Sequence, residues 1–104
     1  MPAGLSLRDA IRAWEQKTGL LPNETTDLNL MCQLPTPIDR LDESINLLEN
    51  CEKLCLSTNA IERLVPMPKV VNLRILSICR NSLKRIQYLD GLADTLEQLW
   101  LSYN

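Results

Sequence analysis

The stretch that decides the fold is Cys51–Asn104, CEKLCLSTNA IERLVPMPKV VNLRILSICR NSLKRIQYLD GLADTLEQLW LSYN. Leu54, Leu56, Asn59, Ile61 and Leu64 set a frame. Leu76, Ile78, Asn81, Leu83 and Ile86 repeat it, and Leu99, Leu101 and Asn104 open it again. Asn59 to Asn81 is 22 residues and Asn81 to Asn104 is 23. In the strand part, Leu54 and Leu56 point one way while Lys53, Cys55 and Ser57 point the other. The Asn has a different task. Its side-chain amide can bond backbone groups that a sharp turn leaves unpaired, so Asn59, Asn81 and Asn104 should stack as a ladder.

A period of this length with an L-x-L-x-x-N core is the signature of a leucine-rich repeat. The fold class expected is therefore α/β: a leucine-rich-repeat solenoid, a right-handed β/α superhelix. It should carry an N-terminal helical cap and be incomplete at its C-terminal side. Each unit is a strand, a turn and a return segment, and no unit buries its apolar face alone. Met67 and Val70 close the core from the return side in one unit, and Leu89 and Leu92 in the next.

Composition agrees with one aliphatic domain. Apolar residues make up 45% of the 104, with 21 leucines, no Phe and only 4% aromatics. The net charge of −2 hides an asymmetry. Residues 1–50 carry four basic and eight acidic side chains, and residues 51–104 carry seven and five. Neither half is basic enough to argue for nucleic acid. No apolar run approaches a membrane span, and the N-terminus lacks a signal-peptide pattern. A cytosolic or cytoskeletal protein is expected. Cys51 sits at a leucine position and Cys32 in an apolar stretch, so both read as small core residues. Cys55 and Cys79 fall on the outward strand face. With no His and no C-x-x-C pair, neither a metal site nor a cofactor is expected. The three glycines form no phosphate-cradling loop, so no enzyme is expected.

The other half reads as follows. Residues 1–27 form the helical cap. Ser6 caps a helix running to about Thr18, with Leu7, Ala10, Ile11 and Trp14 on one stripe. Gly19 closes it and Pro22 prevents continuation. Repeats fill residues 28–104: a degenerate one at 28–50, then 51–72, 73–95 and a partial one at 96–104. In the first, Leu28, Leu30, Cys32 and Leu34 alternate with Asn29, Met31 and Gln33, and Pro35 and Pro37 end the strand. Ile38 and Leu41 lie 23 residues before Ile61 and Leu64. Asp42–Leu48 reads as a helical return with Ile45 and Leu48 inward. Pro66 and Pro68 argue for an extended return in the second repeat, and Lys84–Leu92 for a helical one in the third. In the partial repeat, Leu96, Leu99 and Leu101 are expected to face an unfinished core. The chain is therefore expected to be a fragment, a truncated gene model, or a protein completed by a partner.

Several runs resemble one family. A-I-R-A-W-E-Q-K-T-G, Ala10–Gly19, is similar to the N-terminal helix of the axonemal dynein light chain 1 family. N-C-E-K-L-C-L-S-T-N, Asn50–Asn59, resembles its second repeat. N-L-R-I-L-S-I-C-R-N, Asn72–Asn81, and D-T-L-E-Q-L-W-L-S-Y-N, Asp94–Asn104, resemble its next two strands. Departures are Cys79 for the family's usual Gly, Ser82 for its Asn, Pro66 and Pro68, and one residue inserted near Thr36. The family's chain continues for several more turns and ends in a helical cap.

The resemblance implies a non-catalytic light chain of the outer dynein arm, in the axoneme of cilia or flagella. Such a chain binds the motor region of a dynein heavy chain at its microtubule-binding stalk domain. It tunes motility, and tubulin is the second partner the resemblance implies. The strand face is the usual binding surface of a repeat solenoid. Alternation places Lys53, Cys55 and Ser57 there, then Ile75, Ser77 and Cys79, then Gln98, Trp100 and Ser102. Arg80 and Tyr103 flank it at the turns. Trp100 is the expected anchor. Arg63, Lys69, Arg74, Lys84 and Arg85 are the candidates for an acidic tubulin surface. The competing reading is a repeat adaptor or phosphatase regulatory subunit unrelated to dynein.

Overall fold

The computed structural model describes residues 4–33 and 36–104. It is a mixed α/β fold with two parallel sheets and one α-helix among the described residues. In chain order the elements are β1 (Leu5–Ser6), α1 (Leu7–Thr18), β2 (Asp27–Asn29), β3 (Ile38–Arg40), β4 (Lys53–Cys55), β5 (Ile75–Ser77) and β6 (Gln98–Trp100). Short 3-10 turns at Pro22–Glu24, Glu43–Leu47 and Asp90–Leu92 fill the returns.

The helix forms where its end signals stand. Ser6 is extended and its hydroxyl accepts the Asp9 N–H at 3.2 Å, satisfying one of the donors a first turn leaves free. Gly19 is left-handed, with φ 73°, and its N–H returns to the Glu15 carbonyl, the arrangement that glycine permits at lowest cost. Between them Leu7, Ala10 and Ile11 are buried, and Trp14 packs half-buried against the core.

The main sheet has the order β2-β4-β5-β6, all parallel. Leu28 pairs with Leu54, Leu54 with Leu76, and Leu76 with Leu99. The steps are 26, 22 and 23 residues, so the extra residues of the first step precede Ile38. On the inner side Leu28, Leu30, Leu54, Leu56, Leu76 and Ile78 are buried, with Ile61, Met67, Val70 and Leu92 closing over them.

The asparagines form the expected ladder. Asn81 Nδ2 donates to the carbonyls of Leu56, Ile78 and Cys79, and its Oδ1 accepts the Ile61 N–H at 3.0 Å. Asn59 does the same between Leu30, Leu56 and Ser57, and accepts from Gln33 and Ile38. Asn104 bonds Ile78, Leu101 and Leu83. Each amide therefore joins its own strand end to the preceding unit.

The returns differ from expectation in three places. Glu43–Leu47 is helical but of the tighter 3-10 kind, capped by Asp42. Lys84–Leu92 is not a helix: only Asp90–Leu92 turns, and Tyr88 has φ 66°. A left-handed residue there interrupts helical geometry. Cys32 is exposed and not a core residue, because the chain already turns at it with φ 52°. Leu34 and Pro35, where the first strand pattern was expected to end, lie outside the described residues. Pro66 and Pro68 do sit in a return without helix, and Cys51 is fully buried, both as the sequence predicts.

Candidate functional site

The outer face of the four-stranded sheet is built by register. One row runs Asp27, Lys53, Ile75, Gln98, and the next but one Asn29, Cys55, Ser77, Trp100. The ladder carries on past the strands: Cys32 N–H donates to Ser57, Thr58 to Cys79 and Arg80 to Ser102. Those bonds align a third row, Met31, Ser57, Cys79 and Ser102. Beyond it Cys32, Thr58, Arg80 and Tyr103 form a column in which every φ lies between 52° and 62°. The asparagine turn thus imposes a left-handed residue before each Asn or its equivalent.

Seven of the nine residues that alternation placed on this face line one shallow hollow: Lys53, Cys55, Ile75, Ser77, Cys79, Gln98 and Trp100. Trp100 is 53% exposed and lies over strand β6, its indole N–H donating to Gln98 Oε1 at 3.2 Å. Small side chains form the floor, so the indole stands as a wall. Arg80, Ser102 and Tyr103 stand outside the hollow. The Arg80 guanidinium sits 4.9 Å over the Tyr103 ring, a cation–π pair at the rim. Ser57 is buried. Its hydroxyl lies 2.7 Å from that of Ser77 and accepts the Cys79 N–H at 3.0 Å, so it pins the sheet and offers little to a partner.

The strand pattern at β2 is legible in the sequence, but the expected site residues begin at Lys53 and leave out its outer side. Asp27 and Asn29 extend the face, as does Met31, which is half exposed. The alternation of Asn29 and Met31 was the available signal. The 26-residue step concealed their register with Cys55 and Ser57.

The basic residues separate onto two flanks. Arg63, Lys84 and Arg85 line one hollow beyond the asparagine turns, with Glu62 and Tyr88. Arg74 lies at the opposite end of the strands. It bridges Glu97 and, at 3.5 Å, Glu52. Its hydrogen bond to Glu97 raises the guanidinium further and holds the Glu97 carboxyl below the usual range. Glu24, Glu52, Asp94 and Glu97 surround it there. Lys69 lies apart from both hollows, its N–H bonded to Asn46. No group of three metal-ligating side chains occurs among the described residues.

No family model matches the chain. Curated relatives do. It is 45% identical over 98 residues to dynein axonemal light chain 1 of Homo sapiens, covering 94% of this chain and 51% of that one. To the Danio rerio protein of the same name it is 43% identical over 96% of this chain and 52% of that one. To that of Chlamydomonas reinhardtii it is 41% identical over 98% of this chain and 51% of the relative. Over nearly its whole length the chain is similar to axonemal dynein light chain 1, and it spans about half the length of those relatives.

Proposed function

We propose that this chain serves as a non-catalytic light chain of axonemal outer-arm dynein, located in the cytoskeleton of the cilium or flagellum. Its similarity over 94% of its length to proteins named for that complex carries the reading. The strand ladder supports a leucine-rich-repeat solenoid, with residues 1–27 as helical cap and 28–104 as repeats. The outer sheet face docks the heavy-chain motor, at a helix or loop of its microtubule-binding stalk region. By holding that region the light chain modulates motility. Exposed Trp100 beside a floor of small side chains is the kind of feature that dominates interface energy. Arg63 and Arg85 are the residues suited to the acidic surface of tubulin, with Lys84 beside them paired once, to Glu62 at 3.8 Å. Arg74, already paired twice, is not. Chemistry on nucleotide belongs to the heavy chain.

A pull-down from salt-extracted axonemes tests this, with the parent chain and Trp100→Ala as baits and circular dichroism on both. The parent should recover a dynein heavy chain. The variant should bind at least about 30-fold more weakly, a loss of about 2 kcal/mol. A folded parent that recovers no heavy chain would overturn the proposal. Equal recovery by a folded variant would remove Trp100 from the site.

A further inference from the structure

Two thiols open onto the hollow in the outer sheet face, and docking makes no use of their sulfur chemistry. Cys55 lies on β4 beside Ser77, and Cys79 lies two residues past Ser77, just beyond the end of β5. Both are half-buried and free. Their register separates them along the strand as well as across it. With strands about 4.8 Å apart and a rise of about 3.3 Å per residue, their Cα atoms stand about 8 Å from each other. That exceeds the roughly 7 Å within which a disulfide closes without moving backbone. Oxidation here therefore has no internal partner.

The lining supplies what a small external thiol compound needs. Its single charged side chain is Lys53, which has no ion-pair partner among the described residues. Gln98 and Ser77 offer amide and hydroxyl contacts, and Ile75 and Trp100 an apolar wall. An anionic tripeptide thiol presents carboxylates, peptide groups and a sulfur in one compact molecule. The other two cysteines frame the comparison. Cys32 is exposed at the turn column, and Cys51 is fully buried with its thiol donating to the Lys53 carbonyl.

We propose that the hollow between Cys55 and Cys79 is a glutathionylation site that accepts one glutathionyl group, on either cysteine but not on both. The thiolate of one cysteine attacks a sulfur of oxidised glutathione. A protein–glutathione S–S bond forms, the glutathione S–S bond breaks, and glutathione leaves as a thiolate that takes up a proton. Oxidised glutathione is the only oxidant required. The adduct fills the hollow and shields the second thiol. It also covers the centre of the face proposed to dock a partner. Only that consequence rests on the docking reading; the adduct itself does not.

The test uses the full chain carrying Cys32→Ser, incubated with excess oxidised glutathione and read by intact mass and peptide mapping. The folded chain should stop at one adduct, shared between Cys55 and Cys79, with Cys51 unmodified. The same chain in urea should take three. Lys53→Glu should slow the folded reaction by roughly threefold or more, through repulsion of the glutathione carboxylates. Circular dichroism confirms the fold of each sample. Two adducts on the folded chain, none at either cysteine, an internal Cys55–Cys79 disulfide, or an unchanged rate in Lys53→Glu would each overturn the proposal. None of these readouts involves a dynein heavy chain, so failure here is distinct from failure of the docking reading.

Discussion

Leu76 on β5 and Leu99 on β6 are register partners, yet Leu76 is fully buried and Leu99 is 39% exposed. The same holds two and five residues on. Ile78 is buried and Leu101 half-buried. Asn81 is buried and Asn104 exposed. The two strands carry one apolar pattern. Among the described residues they differ in having a neighbouring strand on both sides or on one. Burial in a stack of this kind belongs to the pair of interfaces around a unit, not to the unit.

The largest effect separating the two regions should come from the leucines. Leu76→Ala removes a side chain packed on every side and should cost about 3–4 kcal/mol. Leu99→Ala should cost less than about 1 kcal/mol, since its side chain already meets water. Urea denaturation of the two variants beside the parent measures both. Equal losses would mean that the β6 side is as well packed as the centre, and the comparison would break.

The asparagines give the next step down. Asn81→Ala leaves three carbonyls and the Ile61 N–H without their amide partner in a dry turn. It should cost about 3 kcal/mol. Asn104→Ala frees groups that water reaches and should cost about 1 kcal/mol or less. Hydrogen exchange at the Ile61 and Leu83 amides, each held by one of these side chains, would show whether the loss is local to the turn.

The ladder was legible because its requirement is local and chemical. A turn with unpaired carbonyls needs an amide at a fixed spacing, and Asn59, Asn81 and Asn104 stand at it. Helix α1 was legible for the same reason, from Ser6 and Gly19. Alternation gave the side of the sheet correctly for Lys53 through Trp100, but not depth. Ser57 points outward and is nonetheless buried, because its hydroxyl is held by Ser77 and the Cys79 N–H. Apolar spacing misled in Lys84–Leu92, where Ile86 and Tyr88 end in solvent. It misled again at Cys32, where the turn column overrides alternation. The returns carry no hydrogen-bond rule as strict as that of the asparagine, so their conformation follows from packing the sequence does not display.

Cys51 extends the contrast to pH. It lies in the buried centre, and desolvation pushes its thiol from 9.0 up to about 11. Between those values the folded chain keeps the proton and the unfolded chain releases it. Stability is therefore complete below about pH 9 and falls as pH rises toward 11, by about 2–3 kcal/mol. The useful quantity is a difference between variants. The stability gap between the parent and Cys51→Ala should narrow across that window. A constant gap would show that the thiol is not desolvated, and that this end of the core is open to water.

Backbone strain supplies the smallest effect, and it is the one that neighbours should not change. Thr58, in the turn after β4, and Tyr103, in the turn after β6, both hold a left-handed conformation, with φ of 58° and 62°. A left-handed L-residue costs about 1–2 kcal/mol. Glycine avoids that cost but loses about 0.5–1 kcal/mol of chain entropy on folding. Thr58 is exposed, and its side chain makes no hydrogen bond among the described residues, so Thr58→Gly should stabilise the chain by about 0.5–1 kcal/mol. Tyr103→Gly relieves the same strain but removes the ring beneath Arg80, a contact of about 0.5–1 kcal/mol. Its net effect should be close to zero. Urea midpoints of the two variants decide the matter. A destabilised Thr58→Gly would mean that the turn column is held by side-chain contacts, as the leucines are. Left-handed geometry would then be a product of stacking, not a local demand of the turn.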